Sequence, residues 1–328
     1  MKNDDDDDDD DDRMDRDKIA TGLFVGYHVL IMAIFAAVLP TLRNAARKPQ
    51  GSGYLAMAAI SFASTWYYML RYYEASYINY TSQFLHSKDI APWLRNSQLF
   101  REAWQMVFAN ELRGLWGQAL CSFVAGPFTI LLVDEGRTRR VPLIWAYLLL
   151  ALFVSVSFAL CLFLAACSVY PRQIKSTANP RLLYLCVAGN LTAIYFLPKA
   201  SNFMAALLLI HAVPLVPVLL QVTPPSGTTR VYIHSAITGA FLHLRNLYKL
   251  QRSGHLSMIL PEVWTHPAVS SVVADVTMVA VTVVFHTGYK GLLSLPGGIG
   301  SAGFSLAQYL ARRGHQSLSD PAPKSKRH

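Results

Sequence analysis

Seven long apolar runs set the pattern of this chain, at residues 19–42, 54–73, 115–133, 141–169, 182–197, 203–222 and 269–289. Each comes near the roughly 20 residues that a helix needs to cross about 30 Å of hydrocarbon, the fifth being short. They predict an all-α fold, a polytopic membrane helical bundle of about seven transmembrane helices. An eighth run, 231–250, contains His234, His243, Arg245 and Lys249. It reads either as an amphipathic helix lying in the interface or as a polar span covered by protein. Helix breakers at Lys48-Pro49-Gln50-Gly51, Asn179-Pro180, Pro224-Pro225-Ser226-Gly227 and Leu295-Pro296-Gly297-Gly298 separate the runs. Three segments result: an acidic N-terminal tail over 1–18, expected to be disordered, a transmembrane domain over 19–290, and a flexible basic tail over 291–328.

Composition agrees with this reading. Of 328 residues, 53% are hydrophobic and 15% charged, whereas soluble chains run near 25% charged. A net charge of +9 would suggest nucleic acid in a soluble protein. Here the bases flank apolar runs, where they meet anionic lipid head groups and fix orientation, so no nucleic-acid partner is expected. No protein partner is predicted either. Arg43, Arg47 and Lys48 after the first run, with Arg137, Arg139 and Arg140 after the third, place those loops in the cytosol and the N-terminus in the lumen. The glycosylation sequon Asn79-Tyr80-Thr81 falls in the loop that the same orientation makes lumenal. Arg172, Lys175 and Arg181, after the fourth run, oppose it. The first 18 residues lack the pattern of a cleavable signal, so the first run is expected to anchor the chain in the endoplasmic reticulum or another endomembrane.

Several motifs have a bland reading that outweighs the chemical one. Gly298-Ile299-Gly300-Ser301-Ala302-Gly303 spells a dinucleotide fingerprint, but it follows an apolar span instead of a strand and leaves no room for a second strand. The run Asp4 to Asp12 contains aspartate-rich patterns used for magnesium, yet coordination needs carboxylates at fixed distances and a like-charge run repels itself. Cys121, Cys161, Cys167 and Cys186 lie inside apolar runs without metal-ligand spacing and read as small packing residues.

Ionisable groups at membrane depth are costly, so each is a functional candidate with a structural rival. Asp275 lies within the last run with no base adjacent. It serves either as a desolvated acid or as a hydrogen bond that ties one span to the next. Thr282 and His286 share its face. Glu74 ends the second run three residues after Arg71, as either an ion pair or an acid. Glu111 precedes the third run, in a stretch from Trp93 that reads as a helix lying on the membrane. Asp134 and Glu135 beside Arg137, Arg139 and Arg140 read first as a salt network, and His211, before Pro214 and Pro217, as a partner for backbone groups freed by a kink. Rings from Trp66 to Tyr77, including Trp66, Tyr67 and Tyr73, form an interfacial belt or, where they face inward, a pocket for a substrate that becomes cationic.

Three stretches carry a resemblance: Trp93-Leu94-Arg95-Asn96-Ser97-Gln98-Leu99-Phe100-Arg101-Glu102-Ala103-Trp104, then Glu135-Gly136-Arg137-Thr138-Arg139-Arg140-Val141-Pro142-Leu143-Ile144-Trp145-Ala146-Tyr147, and His266-Pro267-Ala268-Val269-Ser270-Ser271 followed by Asp275. In order and spacing they resemble a fungal family of membrane-bound terpene cyclases of the ascofuranone, ascochlorin and macrophorin type, over about 54–289. The chain departs from that pattern at Gly114-Leu115-Trp116-Gly117-Gln118, where the family carries more tryptophan. The resemblance implies a proton-initiated, isomerase-type or lyase-type cyclisation of the terpenoid tail of a meroterpenoid in secondary metabolism. The substrate would be a lipid-like prenylated aromatic, the acid Asp275, Glu74 or Glu111, and Trp145 and Tyr147 would join the ring-lined pocket. No metal or nucleotide cofactor is required. The rival reading is a transporter or scaffold whose buried charges serve a solute path or hold helices together.

Overall fold

The computed structural model describes residues 5–83, 89–173, 181–220 and 228–287. Every regular element among them is helical. In chain order these are α1 (Asp5–Ala46), α2 (Pro49–Gln83), α3 (Ile90–Asn96), α4 (Leu99–Val107), α5 (Glu111–Phe123), α6 (Thr129–Thr138), α7 (Ile144–Phe153), α8 (Val156–Val169), α9 (Arg181–Phe196), α10 (Phe203–Ala212), α11 (Leu215–Leu219), α12 (Thr228–Arg252), α13 (Ile259–Val263) and α14 (Pro267–Thr287). The Gly-rich motif at 298–303, the tail 291–328 and the breakers at 179–180 and 224–227 lie outside the described residues.

Four helices are long and apolar enough to cross a bilayer: Met14–Ala46, Glu111–Thr138, Arg181–Lys199 and Pro267–Thr287. Shorter apolar helices cover Ile144–Phe153, Val156–Val169 and Phe203–Leu219. Large apolar side chains also stay exposed in stripes, such as Leu23, Val29, Leu30 and Met32 on α1 and Ile233, Ile237, Phe241 and Leu244 on α12. Contiguous exposed apolar surface of this kind belongs against lipid. These are the features of a membrane protein.

The centre of the bundle is the continuous helix Glu111–Thr138, buried over nearly its whole length. Its two α-helical halves meet at a π-helical turn, Val124–Phe128. Pro127 there brings no N–H to the ladder, and Thr129 Oγ1 donates to the Val124 carbonyl at 2.6 Å.

The fourth apolar run, expected as one span over 141–169, is instead a helical hairpin. Helix α7 stops at Phe153, Ser155 adopts extended backbone with φ near −172°, and α8 runs back. Tyr147 on α7 meets Phe163 on α8 edge-on at 5.5 Å, each ring eight residues from the Ser155 turn. The two ends of the hairpin meet as well: Gln173 N donates to the Thr138 carbonyl at 3.0 Å, and Arg139 Nη1 donates to the Cys167 and Tyr170 carbonyls. With α8 about 21 Å long at 1.5 Å per residue, the tip at Val154–Ser155 lies deep in the apolar zone. The hairpin has little lipid exposure, since Val156 to Ala166 are buried apart from a partly exposed Phe158. That satisfies the rule that non-helical backbone at membrane depth must be covered by protein.

This hairpin puts residues 138–140 and 170–173 at the same end of the bundle. Lys48 joins them, its Nζ donating to the Ser168 carbonyl at 3.0 Å. Arg172, which opposed the orientation drawn from sequence, therefore sits with Arg139 and Lys48, and the objection disappears. At the opposite end, Arg95 pairs with Asp17 at 3.1 Å, Arg113 with Glu262 at 2.7 Å and Lys249 with Glu111 at 3.4 Å.

Three further expectations change. The acidic run 5–12, expected as part of a disordered tail, forms the first turns of α1. Asn79 lies in the last turns of α2 and not in a loop, exposed, with Gln83 Nε2 at 3.4 Å from its Oδ1. The eighth run forms α12, a 25-residue helix that buries Val231, Tyr232, Ser235, Leu242 and Leu250.

Candidate functional site

Breaking a helix inside a membrane frees backbone donors and acceptors that water cannot reach. Around the hairpin tip the first amides of α8 and the Phe153 carbonyl find partners. Asp275, on α14, accepts from Val156 N at 2.8 Å through Oδ2, and from Ser157 N at 2.7 Å and Ser155 Oγ at 2.9 Å through Oδ1. The first amides of α8 thus point at a carboxylate, the arrangement that a helix N-terminus favours. Ser155 adds the side-chain cap through Phe158 N. On the other side of the break, the Tyr27 hydroxyl of α1 donates to the Phe153 carbonyl.

Asp275 belongs to a polar stripe along α14 whose members all reach across to neighbours. Ser271 Oγ donates to the Thr65 carbonyl at 3.0 Å, Thr282 Oγ1 lies 3.1 Å from Cys161 Sγ, and His286 Nδ1 lies 2.6 Å from the Tyr54 hydroxyl. Thr282 and His286 share the Asp275 face, as the helical period requires. The span-to-span hydrogen bond weighed for Asp275 from sequence is present, made with three donors.

A ring wall borders the tip. Trp66 stacks on Phe62 at 5.4 Å and meets His28 edge-on at 6.1 Å, Phe62 meets Phe158 at 5.4 Å, and Tyr73 meets Phe24 at 5.9 Å. Tyr67, 60% exposed, lies outside it against Tyr68. Trp145 is half-buried and packs on the core. Tyr147 is fully buried, and its hydroxyl has no hydrogen-bond partner among the described residues.

A second neighbourhood lies at the far end of the central helix. Asn110 caps α5 by accepting from Arg113 N at 2.9 Å. Arg113 Nε and Asn110 Nδ2 both reach Glu262 of α13, at 2.7 and 3.0 Å. The Asn110 hydrogen bond, then the Arg113 guanidinium, hold the Glu262 carboxyl below the usual range, while burial and then Arg113 push the His266 imidazole down. Next to this clamp, α5, α9 and α12 enclose a cavity of about 300 Å³ lined by Phe108, Glu111, Leu115, Gln118, Tyr195 and Arg245, among others. That volume is at the lower end of ligand sites. Glu111 at its mouth faces Lys249 at 3.4 Å. Deeper in, Asn246 Nδ2 donates to Gln118 Oε1, and the Arg245 guanidinium lies 4.2 Å over the Tyr195 ring.

No protein-family model, curated protein or solved structure matches this chain. Function must therefore be argued from its own residues.

The three candidate carboxylates occupy different settings. Asp275 is buried and accepts from three donors of the hairpin tip. Glu74 is exposed on α2, 2.5 Å from Arg71, the ion pair weighed for it from sequence. Glu111 lines a cavity. Asp134 and Glu135 form the anticipated salt network, with Glu135 2.7 Å from Arg139 and 3.1 Å from Arg172, and Arg172 4.0 Å from Asp134. His211 Nδ1 is 2.7 Å from the Leu207 carbonyl one turn back, with its ring against Trp104 at 5.5 Å. Sequence reasoning missed Ser155, Ser157, Tyr27, Gln118, Tyr195, Lys199 and Asn246. Their signals were polar residues inside apolar runs: Ser155-Val156-Ser157 in the fourth and Gln118 in the third.

Proposed function

We propose that this chain is an endomembrane cyclase that protonates an epoxide or alkene of a prenylated aromatic and closes rings in its terpenoid tail. The observation that carries the reading is Glu111, a carboxyl at the mouth of a cavity whose wall includes the Phe108 and Tyr195 rings. The resemblance of 93–104, 135–147 and 266–275 to the fungal terpene cyclases supports it.

In the proposed reaction Glu111 passes its proton to the oxirane oxygen as the C–O bond breaks at the more substituted carbon. A chain alkene attacks that carbon, and the last carbocation loses a proton, so substrate and product are isomers. An apolar chain filling the cavity displaces water and shields the reacting carbons from it. The ring face of Phe108 stabilises positive charge in the chain. Asp275 positions the hairpin and does not touch substrate.

The proposed topology has seven crossings, by α1, α2, α5 with α6, α9, α10 with α11, α12 and α14, plus one re-entrant hairpin. The basic end faces the cytosol, and Asn79 carries its glycan in the lumen. Labelling of Asn79→Cys and Arg172→Cys from opposite sides of the membrane supports this, and labelling from one side overturns it.

The test of function is expression beside an epoxyfarnesylated phenol with the product read by mass spectrometry and NMR. Glu111→Gln should accumulate normally and lose roughly 100-fold or more of the cyclisation rate, the usual weight of one general acid. Near wild-type turnover in that variant removes Glu111 from the chemistry. A second reading, a transporter, draws on the broken helix whose N-terminus addresses a charged group at membrane depth. Uptake of a solute into vesicles without any ring formation would favour it.

A further inference from the structure

The α5–α9–α12 cavity carries an imbalance of charge that cyclisation alone does not explain. Three cations line it, Lys199, Arg245 and Lys249, against one carboxylate, Glu111. Lys249 is answered by Glu111 at 3.4 Å. Lys199 and Arg245 have no ion-pair partner among the described residues; Arg245 is held instead over the face of Tyr195, with its guanidinium carbon 4.2 Å from the ring centroid. A guanidinium held over a ring face keeps hydrogen-bonding capacity that the ring does not use, and its fork matches an oxyanion bidentately. Lys199, in the 3-10 turn Leu197–Lys199 that follows α9, adds a second positive charge to the same cavity. The opposite wall is apolar, made by Phe108 and Leu115, with Gly114 keeping it open.

We propose that this cavity selects a prenylated aromatic bearing an acidic head, an aryl carboxylate, which Arg245 and Lys199 hold while the terpenoid tail lies along Phe108, Leu115 and Tyr195. The proposal rests on the cyclase reading of the same cavity and names the substrate class. Holding the head on Arg245 sets the distance along the tail at which Glu111 meets the reacting carbon, so the acidic group also fixes which double bond is protonated. An anionic phospholipid head group offers similar charge, so the experiment includes an arm that separates the two.

The experiment uses the full chain in phosphatidylcholine nanodiscs, titrated calorimetrically with farnesylated 4-hydroxybenzoic acid and with its methyl ester. The acid should bind about tenfold tighter or better, corresponding to about 1.4 kcal/mol. Lys199→Gln should reduce that preference, Lys199→Gln with Arg245→Gln should erase it, and Arg245→Lys should keep part of it. Equal binding of acid and ester, or a preference that survives the double variant, overturns the proposal. Displacement of the acid by nanodiscs rich in phosphatidylserine overturns it too, in favour of a lipid head-group site. Lys199 is exposed, so its single variant remains informative if the Arg245 variants unfold. The two readings separate cleanly: acid-selective binding with no ring formation upholds this proposal against the cyclase, and ring formation with equal affinity for acid and ester does the reverse.

Discussion

The hairpin tip and the α5–α9–α12 cavity both contain a carboxylate, and they use it in opposite ways. Asp275 accepts from two amides and a hydroxyl within 2.9 Å, all of them supplied by the fold. Glu111 shares one oxygen with a lysine at 3.4 Å beside two cations that lack an ion-pair partner among the described residues. A buried charge that is answered by the fold is architecture; a charge imbalance around empty volume is a place for something to bind. Depth in the membrane, the criterion that makes Asp275 the first choice from sequence, does not separate the two.

Changing Asp275 should produce the largest effect. Asp275→Leu removes the acceptor for three buried donors at once, and leaving such groups unpaired costs about 1–3 kcal/mol each, so unfolding in detergent should show a loss of about 3 kcal/mol or more. Asp275→Asn should fall between, because its amide accepts at one end and presents N–H groups to donors at the other. A normal melting temperature for Asp275→Leu would dissolve the distinction between the two sites.

Overpacking the cavity wall comes next. A Cβ on Gly117 would sit 2.7 Å from Val107 Cγ1 and 2.9 Å from two atoms of the Phe108 ring. Gly117→Ala should therefore cost about 1–3 kcal/mol and displace Phe108, weakening binding of acid and ester probes alike. Unchanged ester affinity would mean that Phe108 is not part of the wall that matters.

Ser155→Ala should cost about 1 kcal/mol, the usual loss of an N-cap side chain, measured by the same unfolding. Its amide-bonded neighbours keep Asp275 in place, so the effect should be well below that of Asp275→Leu.

The smallest effect concerns pH. Glu262 has its carboxyl depressed in the folded protein, so its contribution is complete above the ordinary glutamate value of about 4.3 and fades as pH falls through the lower folded value. Wild type should lose stability between pH 5 and acid more steeply than Glu262→Gln, and parallel curves would show that the α5–α13 clamp is not electrostatic.

Much of the fold was legible in the chain because membrane helices announce themselves by apolar length. What length conceals is direction. The run 141–169 is 29 residues long, and nothing in its hydropathy says whether it crosses once or turns back. Two signals were nonetheless present: Ser155-Val156-Ser157 halfway along, and Arg172, Lys175 and Arg181 on what seemed the wrong side. The cavity was harder to see because its walls come from 108–118, 195–199 and 245–249, and Arg245 and Lys249 made α12 look too polar to be part of a bundle.

The π-helical turn at Val124–Phe128 has a bearing on how this sequence can drift. An α-helix that loses one residue turns everything beyond the deletion by about 100°, from 3.6 residues per turn. Applied to the central helix, that would swing Gln118 away from Asn246 or Asp134 away from Arg172. A π turn already holds one residue more than the α-helical ladder needs. A single codon lost within 124–128 would relax the turn to regular helix and leave both halves facing as before, making these five positions the stretch of the helix most tolerant of a change in length.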